Sequence, residues 1–407
     1  MSSVPSAWPD ASAPIIGQHW TRPSRHGDEE PSVLPIEFGA SGSEYFRIWI
    51  VNLLLTLVTV GLYYPWARVR KLRYFYGNTR VAGHAFDFHG NPWRMLRGYL
   101  LVGALLVMYS LAGRISPAAG VIALLIVAAV WPALLRASQQ FRLANTSWRG
   151  LRFRFTGSTT DAYRAMAPLF LAAVPFAVLG ALAPQDQRIQ PSAAWVAWFG
   201  IAALLSLAIV PLGWWLLKKY QHDHYALGGE RTQLRLGAGS FYGLSLKTLG
   251  VMLLAMIVFA VVTVALVAAI GFKPRVRGAP PGFGVIVVLP ILMAVLYVLA
   301  IAFIRAYATA RMQNLVWSRT ASRHLSFDSH LRFSALLGLT LKNWLLVALT
   351  LGLYWPFAAV AQARLRLAAV ALSSSRPIDS LSAGARQPGE DASGDAAGEL
   401  FGIDIGL

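Results

Sequence analysis

Long apolar runs are the feature that most constrains what this chain can fold into. Several of them reach about 18 residues or more, which as a helix is enough to cross a hydrocarbon layer roughly 30 Å thick. Of the 407 residues, 56% are hydrophobic and only 13% are charged, whereas soluble domains carry about 25% charged residues. The sequence therefore predicts an all-α, polytopic membrane protein.

The stretch from Gly61 to Thr79 shows how one of these runs ends. It closes in two tyrosines, a proline and a tryptophan, and a dense basic segment follows at once. An apolar run, an aromatic belt and a cationic flank in this order are typical of the cytoplasmic end of a membrane-spanning helix. Weaker copies of the junction recur along the chain, which indicates repeats of one unit.

About eight transmembrane helices are predicted, and they are separated by glycine, proline or polar residues. The spans lie at about 46–64, 98–113, 118–135, 165–183, 193–217, 245–271, 284–304 and 336–357. Three connectors are short and resemble hairpin loops: Ser116-Pro117, Pro184 to Pro191, and Pro274 to Gly284. The four long connectors hold most of the Lys and Arg residues, so the positive-inside rule places them in the cytoplasm. Eight crossings would then leave both tails in the periplasm.

The composition divides the chain into three segments. Residues 1–43 are rich in Pro, Ser, Ala and Gly without apolar periodicity, and they are predicted to be a disordered tail. Residues 44–372 form the repeat-built transmembrane domain. Residues 373–407 are predicted to be a disordered, acidic tail.

Internal similarity defines the repeating unit. A shift of 67 residues places Pro65 on Pro132 and Asn78 on Asn145, and a shift of 291 relates the first span to the last. The second shift places Gly61 and Pro65 on Gly352 and Pro356. Each unit is expected to contain a short extended segment, an outgoing helix, a returning helix, a proline and a basic aromatic segment. The proline is expected at a helix boundary, where the loss of a backbone hydrogen bond destabilises the helix least. The extended and basic segments are expected on the cytoplasmic side.

The first and last units hold only one predicted span each. The alternative for either span is a re-entrant hairpin, which would return that tail to the cytoplasm.

The sequence resembles a known family over most of residues 36–370. The segment Glu44–Thr79, followed by Phe86-Asp87-Phe88-His89-Gly90, is similar to the signature of the YjgN family of bacterial inner-membrane proteins, and Thr350–Pro356 resembles that family's recurring element. The family has no assigned function. The resemblance implies a multi-pass fold and an inner-membrane location, but no catalytic residues.

Polar residues inside the first and last spans are candidates for a pathway. The first span contains Asn52, Thr56 and Thr59, and the last contains Asn343 and Thr350 at positions that match Asn52 and Thr59. One interpretation is a polar pathway or substrate contact where repeats meet. The other is ordinary interhelical hydrogen bonding, which averages about 0.6 kcal/mol in measured membrane cases.

The basic residues are interpreted first as topology signals and as contacts to anionic phospholipid headgroups. These residues are Arg68, Arg70, Lys71, Arg73, Arg136, Lys218 and Lys219. The net charge of +18 would also suit nucleic acid, but the cations flank apolar spans, so the lipid bilayer is the expected partner and nucleic acid is not. An alternative is an anion vestibule that faces the cytoplasm and accepts nucleotides or phosphorylated solutes.

Catalytic and metal signatures are weak. The chain has no Walker loop, no H-E-x-x-H and no G-x-S-x-G, so we expect no enzyme activity and no cofactor. The chain has no cysteine, and no metal site is predicted. The closely spaced pair His222 and His224 is the one weak candidate for metal ligands.

Two functional hypotheses remain at this point. The first is a transport-related inner-membrane protein with a solute or lipid pathway between its repeats. The second is a non-transporting membrane scaffold or envelope-stress factor, which would bind anionic lipid or an unidentified protein partner through its basic cytoplasmic segments.

Overall fold

Helices and short strands alternate along the computed structural model, which describes residues 32–182, 192–269 and 287–377. The helices in these ranges are α1 (Gly42–Val58), α2 (Tyr64–Gly77), α3 (Pro92–Ile115), α4 (Pro117–Ala144), α5 (Thr159–Leu182), α6 (Ala193–His222), α7 (Ala238–Ala269), α8 (Leu289–Trp317), α9 (Phe333–Leu349) and α10 (Trp355–Ala368). The strands are β1 (Ser32–Leu34), β2 (Ile36–Phe38), β3 (Thr79–Val81), β4 (His84–Phe88), β5 (Thr146–Trp148), β6 (Leu151–Phe155), β7 (Tyr225–Leu227), β8 (Glu230–Arg231), β9 (Gln233–Leu234), β10 (Thr320–Ala321), β11 (Leu325–Ser329) and β12 (Val370–Ser374).

Six of the described helices, α3 to α8, are long and apolar enough to span a membrane. The fold class predicted from sequence, an all-α polytopic membrane protein, is confirmed by these helices. The short connector at Ser116 is a tight turn, because the Ser116 hydroxyl accepts a hydrogen bond from the Ala119 N–H and caps α4. The other two predicted hairpin loops lie outside the described residues.

The first and last predicted spans are not single crossings. The helix α1 ends at Val58, and the chain turns through Val60 and Gly61 at positive φ, 50° and 89°, before α2 begins. The last span repeats this turn at Leu351 and Gly352, with φ of 48° and 94°, between α9 and α10. Glycine adopts such backbone angles at little cost, so an apolar run that contains it can reverse direction.

Strand pairing shows that both of these helix pairs return to the side that they left. The strand before α1 pairs with the strand after α2, with Ile36 opposite Val81. The strand β11 before α9 pairs in the same way with β12 after α10. The described parts of both tails therefore lie beside the long connectors, and the prediction of tails on the opposite side is wrong for these residues.

The strands close into a ring, which we call the barrel. Seven strands run antiparallel in the order β2 to β8, and five run in the order β9-β10-β11-β12-β1. Only Pro35 separates β1 from β2, and only Thr232 separates β8 from β9, so each of these two segments belongs to both sheets. The prediction of disorder up to residue 43 and from residue 373 is therefore wrong for the strand residues 32–38 and 373–374; residues 1–31 and 378–407 lie outside the described ranges.

An apolar core fills the barrel. Its buried centre consists of Leu34, Val81, Trp148 and Leu372, which come from β1, β3, β5 and β12. Side chains of a strand alternate between two faces: on β6, Phe153 packs on this core whereas Arg152 and Arg154 are exposed. The barrel is thus a packed body and not an open pore.

Glu230 joins the two sheets where β8 meets the β10–β11 turn. Its carboxylate accepts hydrogen bonds from the Ser322 hydroxyl at 2.6 Å and from the His324 ring at 2.5 Å. Partial burial alone would raise the pKa of Glu230, but these hydrogen bonds outweigh it and hold the pKa below its ordinary value of 4.5.

Five helical hairpins rise from the barrel. Each leaves one strand and returns to the next strand of the ring, and they are α1–α2, α3–α4, α5–α6, α7–α8 and α9–α10, numbered 1 to 5 here. Each helix packs against the next along the chain, and α10 packs against α1. Among the described residues, no two helices across this ring pack to a comparable extent. In α7, none of the residues in its most apolar window is buried by protein.

The residues singled out by the sequence repeat have shared local roles. Pro65 and Pro356 lie in the first turns of α2 and α10, as expected. Asn78 and Asn145 both end a helix, and each side-chain amide donates to the carbonyl four residues earlier at 2.8 Å. Pro132 differs from expectation because it lies inside α4, where neighbouring helices in a membrane protein tolerate it.

Candidate functional site

Buried glutamines lie at the base of the helix ring, where returning helices enter the barrel. Gln139 on α4, Gln221 on α6 and Gln313 on α8 are all nearly inaccessible, at 4%, 3% and 6% exposure. Burying a side-chain amide is unfavourable unless it finds hydrogen-bond partners. In each case a neighbouring cation supplies one.

Three cations are held by these glutamines. The guanidinium of Arg142 donates to Gln139 Oε1 at 2.7 Å, and the ammonium of Lys218 donates to Gln221 Oε1 at 3.1 Å. The guanidinium of Arg366 on α10 donates to Gln313 Oε1 on α8, also at 2.7 Å. We call these six residues the cationic belt.

The belt cations come from three hairpins and converge. The charge of Lys218, on hairpin 3, interacts with those of Arg142 on hairpin 2 and Arg366 on hairpin 5. Hairpins 3 and 5 are not neighbours in the ring, so their cations meet only towards its middle.

Within the described ranges, no carboxylate forms a salt bridge with a belt cation. The salt bridges in the described ranges involve Arg164, Lys219, His324 and His330, and none of the belt cations takes part in one. Partial burial lowers the pKa of Arg366, yet the residue as a whole remains exposed. This combination is expected of a cation that lines a recess rather than one packed in a core.

A shared distance from the following strand explains why the belt forms. Gln139, Lys218 and Gln313 each lie seven residues before the strand that follows their helix. Arg142, Gln221 and Arg366 lie four residues before theirs. Positions three apart share a helix face, so the same face of successive returning helices is polar.

An aromatic layer with one histidine adjoins both the belt and the barrel core: His222 directly follows Gln221, and the Trp317 ring lies 5.1 Å from that of Phe327, which packs on the core. His222 is buried at 5% exposure, and its ring lies 5.2 Å from those of both Tyr225 and Trp317. Its Nδ1 is 3.0 Å from the Thr320 hydroxyl, whereas His224 Nδ1 pairs with the Tyr220 carbonyl. The weakly suggested histidine pair is thus split, and the described ranges contain no group of three His, Asp or Glu that could hold a metal.

Other predicted basic residues make structural contacts. Arg73 donates to the carbonyls of Phe88 and Gly90, and Arg136 donates to that of Gly157 at 2.9 Å. These bonds hold a returning helix against the strand and loop that lead into the next hairpin.

The remaining cations of that predicted set contact their own or a nearby helix. Arg68 donates to the Tyr64 hydroxyl, Arg70 to Asn52, and Lys71 lies over the Phe75 ring. Lys219 forms a 2.8 Å ion pair with Asp223.

The predicted pathway threonines close the turns of hairpins 1 and 5. The Thr59 hydroxyl donates to the Leu55 carbonyl at 2.8 Å and accepts the Tyr63 N–H at 2.9 Å. Thr350 makes the equivalent bonds at 2.7 and 2.9 Å. The Thr56 hydroxyl likewise donates to a carbonyl of its own helix, that of Asn52. Such internal bonding allows an apolar turn to lie in lipid, where water cannot satisfy the backbone.

The two predicted pathway asparagines are both buried but differ in their partners. Asn52 Oδ1 accepts a 3.4 Å bond from Arg70, whereas Asn343 donates to the Ala358 carbonyl and its Oδ1 has no partner among the described residues. The residue that matches Arg70 in hairpin 5 is Ala361, which explains the missing donor. The described contacts keep each asparagine within its own hairpin.

Sequence reasoning placed Lys218 with the lipid-contacting cations and missed Arg142, Arg366 and the three glutamines. In the sequence, each looks like an ordinary polar residue between or after the predicted spans. The available signal was their fixed distance from the following strand, which becomes visible only when the strand starts are known.

Three described hairpins of membrane-spanning length and two shorter ones, all on a small strand barrel, define a polytopic membrane protein with a polar site at the base of its helices. The chain belongs to the bacterial protein family of unknown function DUF898, whose family model matches residues 33–400. This confirms the family resemblance seen in the sequence.

Two named relatives show the extent of similarity. The inner membrane protein YjgN of Salmonella typhimurium is 27% identical over 176 residues, which cover 42% of this chain and 45% of the relative. YjgN of Escherichia coli K12 is 45% identical over 51 residues, 12% of this chain and 13% of the relative. The chain thus spans less than half the length of the curated relatives that it matches. No solved structure matches it significantly.

Proposed function

We propose that this protein is a transport-related protein of the bacterial inner membrane, which moves a lipid or an amphiphilic solute between its helical hairpins. The observation that carries the proposal is the ring of helices, each packed on its neighbours, with no comparable packing across it in the described ranges. Apolar surfaces that protein does not cover must be covered by lipid or by a ligand of similar character. The names of the relatives supply the inner-membrane location.

We further propose that the barrel faces the cytoplasm. The long, basic connectors form its strands, and the positive-inside rule favours the cytoplasmic side for them. Both tails would then begin in the cytoplasm as well, because β1 and β12 belong to the same barrel.

The junction between hairpins 5 and 1 is the route that we propose for the cargo. Every other pair of neighbouring hairpins is joined covalently through consecutive strands. These two meet only through non-covalent contacts, which include β1–β12 pairing, packing of α10 on α1 and β2, and a hydrogen bond from Arg364 to the Ala40 carbonyl. Their helices are also the shortest, with 17 residues in α1 and 14 in α10. At 1.5 Å per residue, α1 is about 26 Å long, less than a roughly 30 Å hydrocarbon core.

A reversible cross-link tests this route. The rings of Phe46 on α1 and Phe357 on α10 are 5.8 Å apart, and the absence of native cysteine allows a clean Phe46→Cys, Phe357→Cys pair. Purified protein would be placed in vesicles that contain a fluorescent phospholipid, and exchange between leaflets would be measured by quenching the outer label. We expect protein-dependent exchange that a short bis-methanethiosulfonate linker stops and that reduction restores.

The matched control is a cross-link at a covalently joined boundary. Trp66 on α2 and Trp93 on α3 lie 4.9 Å apart, and a Trp66→Cys, Trp93→Cys pair should leave exchange unchanged when linked. Equal rates in empty and protein-containing vesicles would overturn lipid movement and favour a scaffold. Full exchange with the Phe46–Phe357 positions linked would overturn the proposed route.

A further inference from the structure

We propose that the cationic belt is a binding site for a phosphate-bearing anion, which reaches it from within the helix ring. This inference rests on the proposed function in one respect, since it names the chemical class of the cargo.

Donor geometry favours an anion. An arginine presents five N–H donors, and in the described contacts Arg142 and Arg366 each use one for a glutamine oxygen. Glutamine fixes the side chain without neutralising its charge. The other donors are left for a ligand, and planar guanidinium groups suit the paired oxygens of a phosphate.

The alternatives explain the belt less well. Cations that serve only to set topology or to contact the surrounding bilayer belong on the outer surface. The charge of Lys218 instead interacts with those of Arg142 and Arg366, which lie on two other hairpins, and all three cations are partnered by glutamines that are almost fully buried. Partly desolvated cations without a counter-charge are costly, and a bound anion removes this cost.

The charge of the belt and the apolar helices around it indicate which class of ligand would bind. Three cations exceed the charge of a single carboxylate and match a phosphate group better. The long helices above are apolar, so the same site can take the headgroup of an anionic phospholipid with its chains among the helices. A free phosphate compound shares the headgroup chemistry, and the experiment must separate these two sources.

The test measures binding to the purified full-length protein in neutral detergent by native mass spectrometry. The probes are phosphatidylglycerol, phosphatidylcholine and glycerol phosphate. The belt variant is Arg142→Gln, Lys218→Gln, Arg366→Gln. The control variant is Arg152→Gln, Arg154→Gln, Arg323→Gln, which removes three exposed cations and so makes the same change in net charge.

We expect phosphatidylglycerol to bind the wild type and the control variant alike, and the belt variant at least about tenfold more weakly, as the loss of charge-assisted hydrogen bonds implies. If glycerol phosphate binds by itself and competes with phosphatidylglycerol, the belt is a phosphate site whose ligand is a soluble compound. The single variant Lys218→Gln, checked for an unchanged melting temperature, should also weaken binding and guards against misfolding of the triple variant.

Equal affinity of the wild type and the belt variants for every phosphate probe would overturn the proposal, as would equal loss in the control variant. Binding is measured without transport, so the two proposals fail separately: the belt can bind phosphate in a protein that exchanges no lipid, and lipid exchange can persist when the belt is removed.

Discussion

The closure of the barrel by the two ends of the chain should depend on Leu34. This side chain is 5% exposed and lies opposite Leu372 in the pairing of β1 with β12. Truncating a leucine buried to this extent costs about 2–5 kcal/mol. We therefore expect Leu34→Ala to lower the free energy of opening the β1–β12 pair by about that amount.

Amide hydrogen exchange measures this opening directly, since protection reports local opening free energy. A loss of 2–5 kcal/mol corresponds to exchange that is faster by roughly thirtyfold to a few thousandfold, at about 1.4 kcal/mol for each tenfold change. The effect should concentrate in β12, Val370–Ser374, and in β1 itself.

Val33 provides the control on the same strand. Val33 is 69% exposed. Val33→Ala should therefore change the opening free energy measured by hydrogen exchange in β12 by less than about 0.5 kcal/mol. Equal acceleration by Leu34→Ala and Val33→Ala would refute the reasoning, because the effect would then come from strand propensity and not from the barrel core.

Two further predictions concern acid stability and helix packing. Because the folded-state pKa of Glu230 is depressed, its stabilising contribution is present above about pH 4.5 and is lost as pH falls through the folded value; Glu230→Gln should flatten the melting temperature between pH 6 and about pH 3, and an unchanged slope would refute this. A Cβ at Gly213 would lie 2.5 Å from Leu169 Cδ2, so Gly213→Ala should destabilise the α5–α6 hairpin by about 1–3 kcal/mol in thermal unfolding. Gly200→Ala, where a Cβ meets nothing within 4 Å, should be neutral or stabilising, and equal effects would contradict the packing argument.

Local sequence patterns predicted the membrane class and many of the elements. Apolar runs predicted the six long helices, and the short extended segments expected in each unit correspond to strands such as β4 and β6. These features depend on neighbouring residues, so a single sequence is enough to detect them.

Pairing between distant segments could not be predicted in this way. The strand Ser32–Leu34 has three residues and pairs with Val370–Ser374 at the other end of the described chain. A segment this short has no usable periodicity, and its surroundings are rich in small and polar residues. Its stability comes from burial of Leu34 in a core that is assembled from distant strands.

The hairpin turns at Gly61 and Gly352 were misread for a different reason. Length and hydropathy alone treat 46–64 as one span, because an apolar run that contains a reversal has the same composition as one that does not. The turn is stable in lipid only because Thr59 and the local backbone satisfy its N–H groups, as with the 2.7 Å bond from Gly61 N to the Thr56 carbonyl. The sequence contains this information, but only as a threonine four residues before a tyrosine.

The filled barrel and the belt together restrict how cargo could move. The core around Trp148 and Leu372 blocks the barrel, and the aromatic layer around His222 packs on that core through Trp317 and Phe327. A hydrated ion would have to displace both layers to pass straight through, at the full cost of unpacking a protein interior. On the proposed function, a ligand at the belt must therefore arrive and leave between the hairpins, and opening the ring sideways at hairpins 1 and 5 requires only non-covalent contacts to separate. Movement within the plane of the membrane thus agrees with this architecture better than conduction along the ring axis.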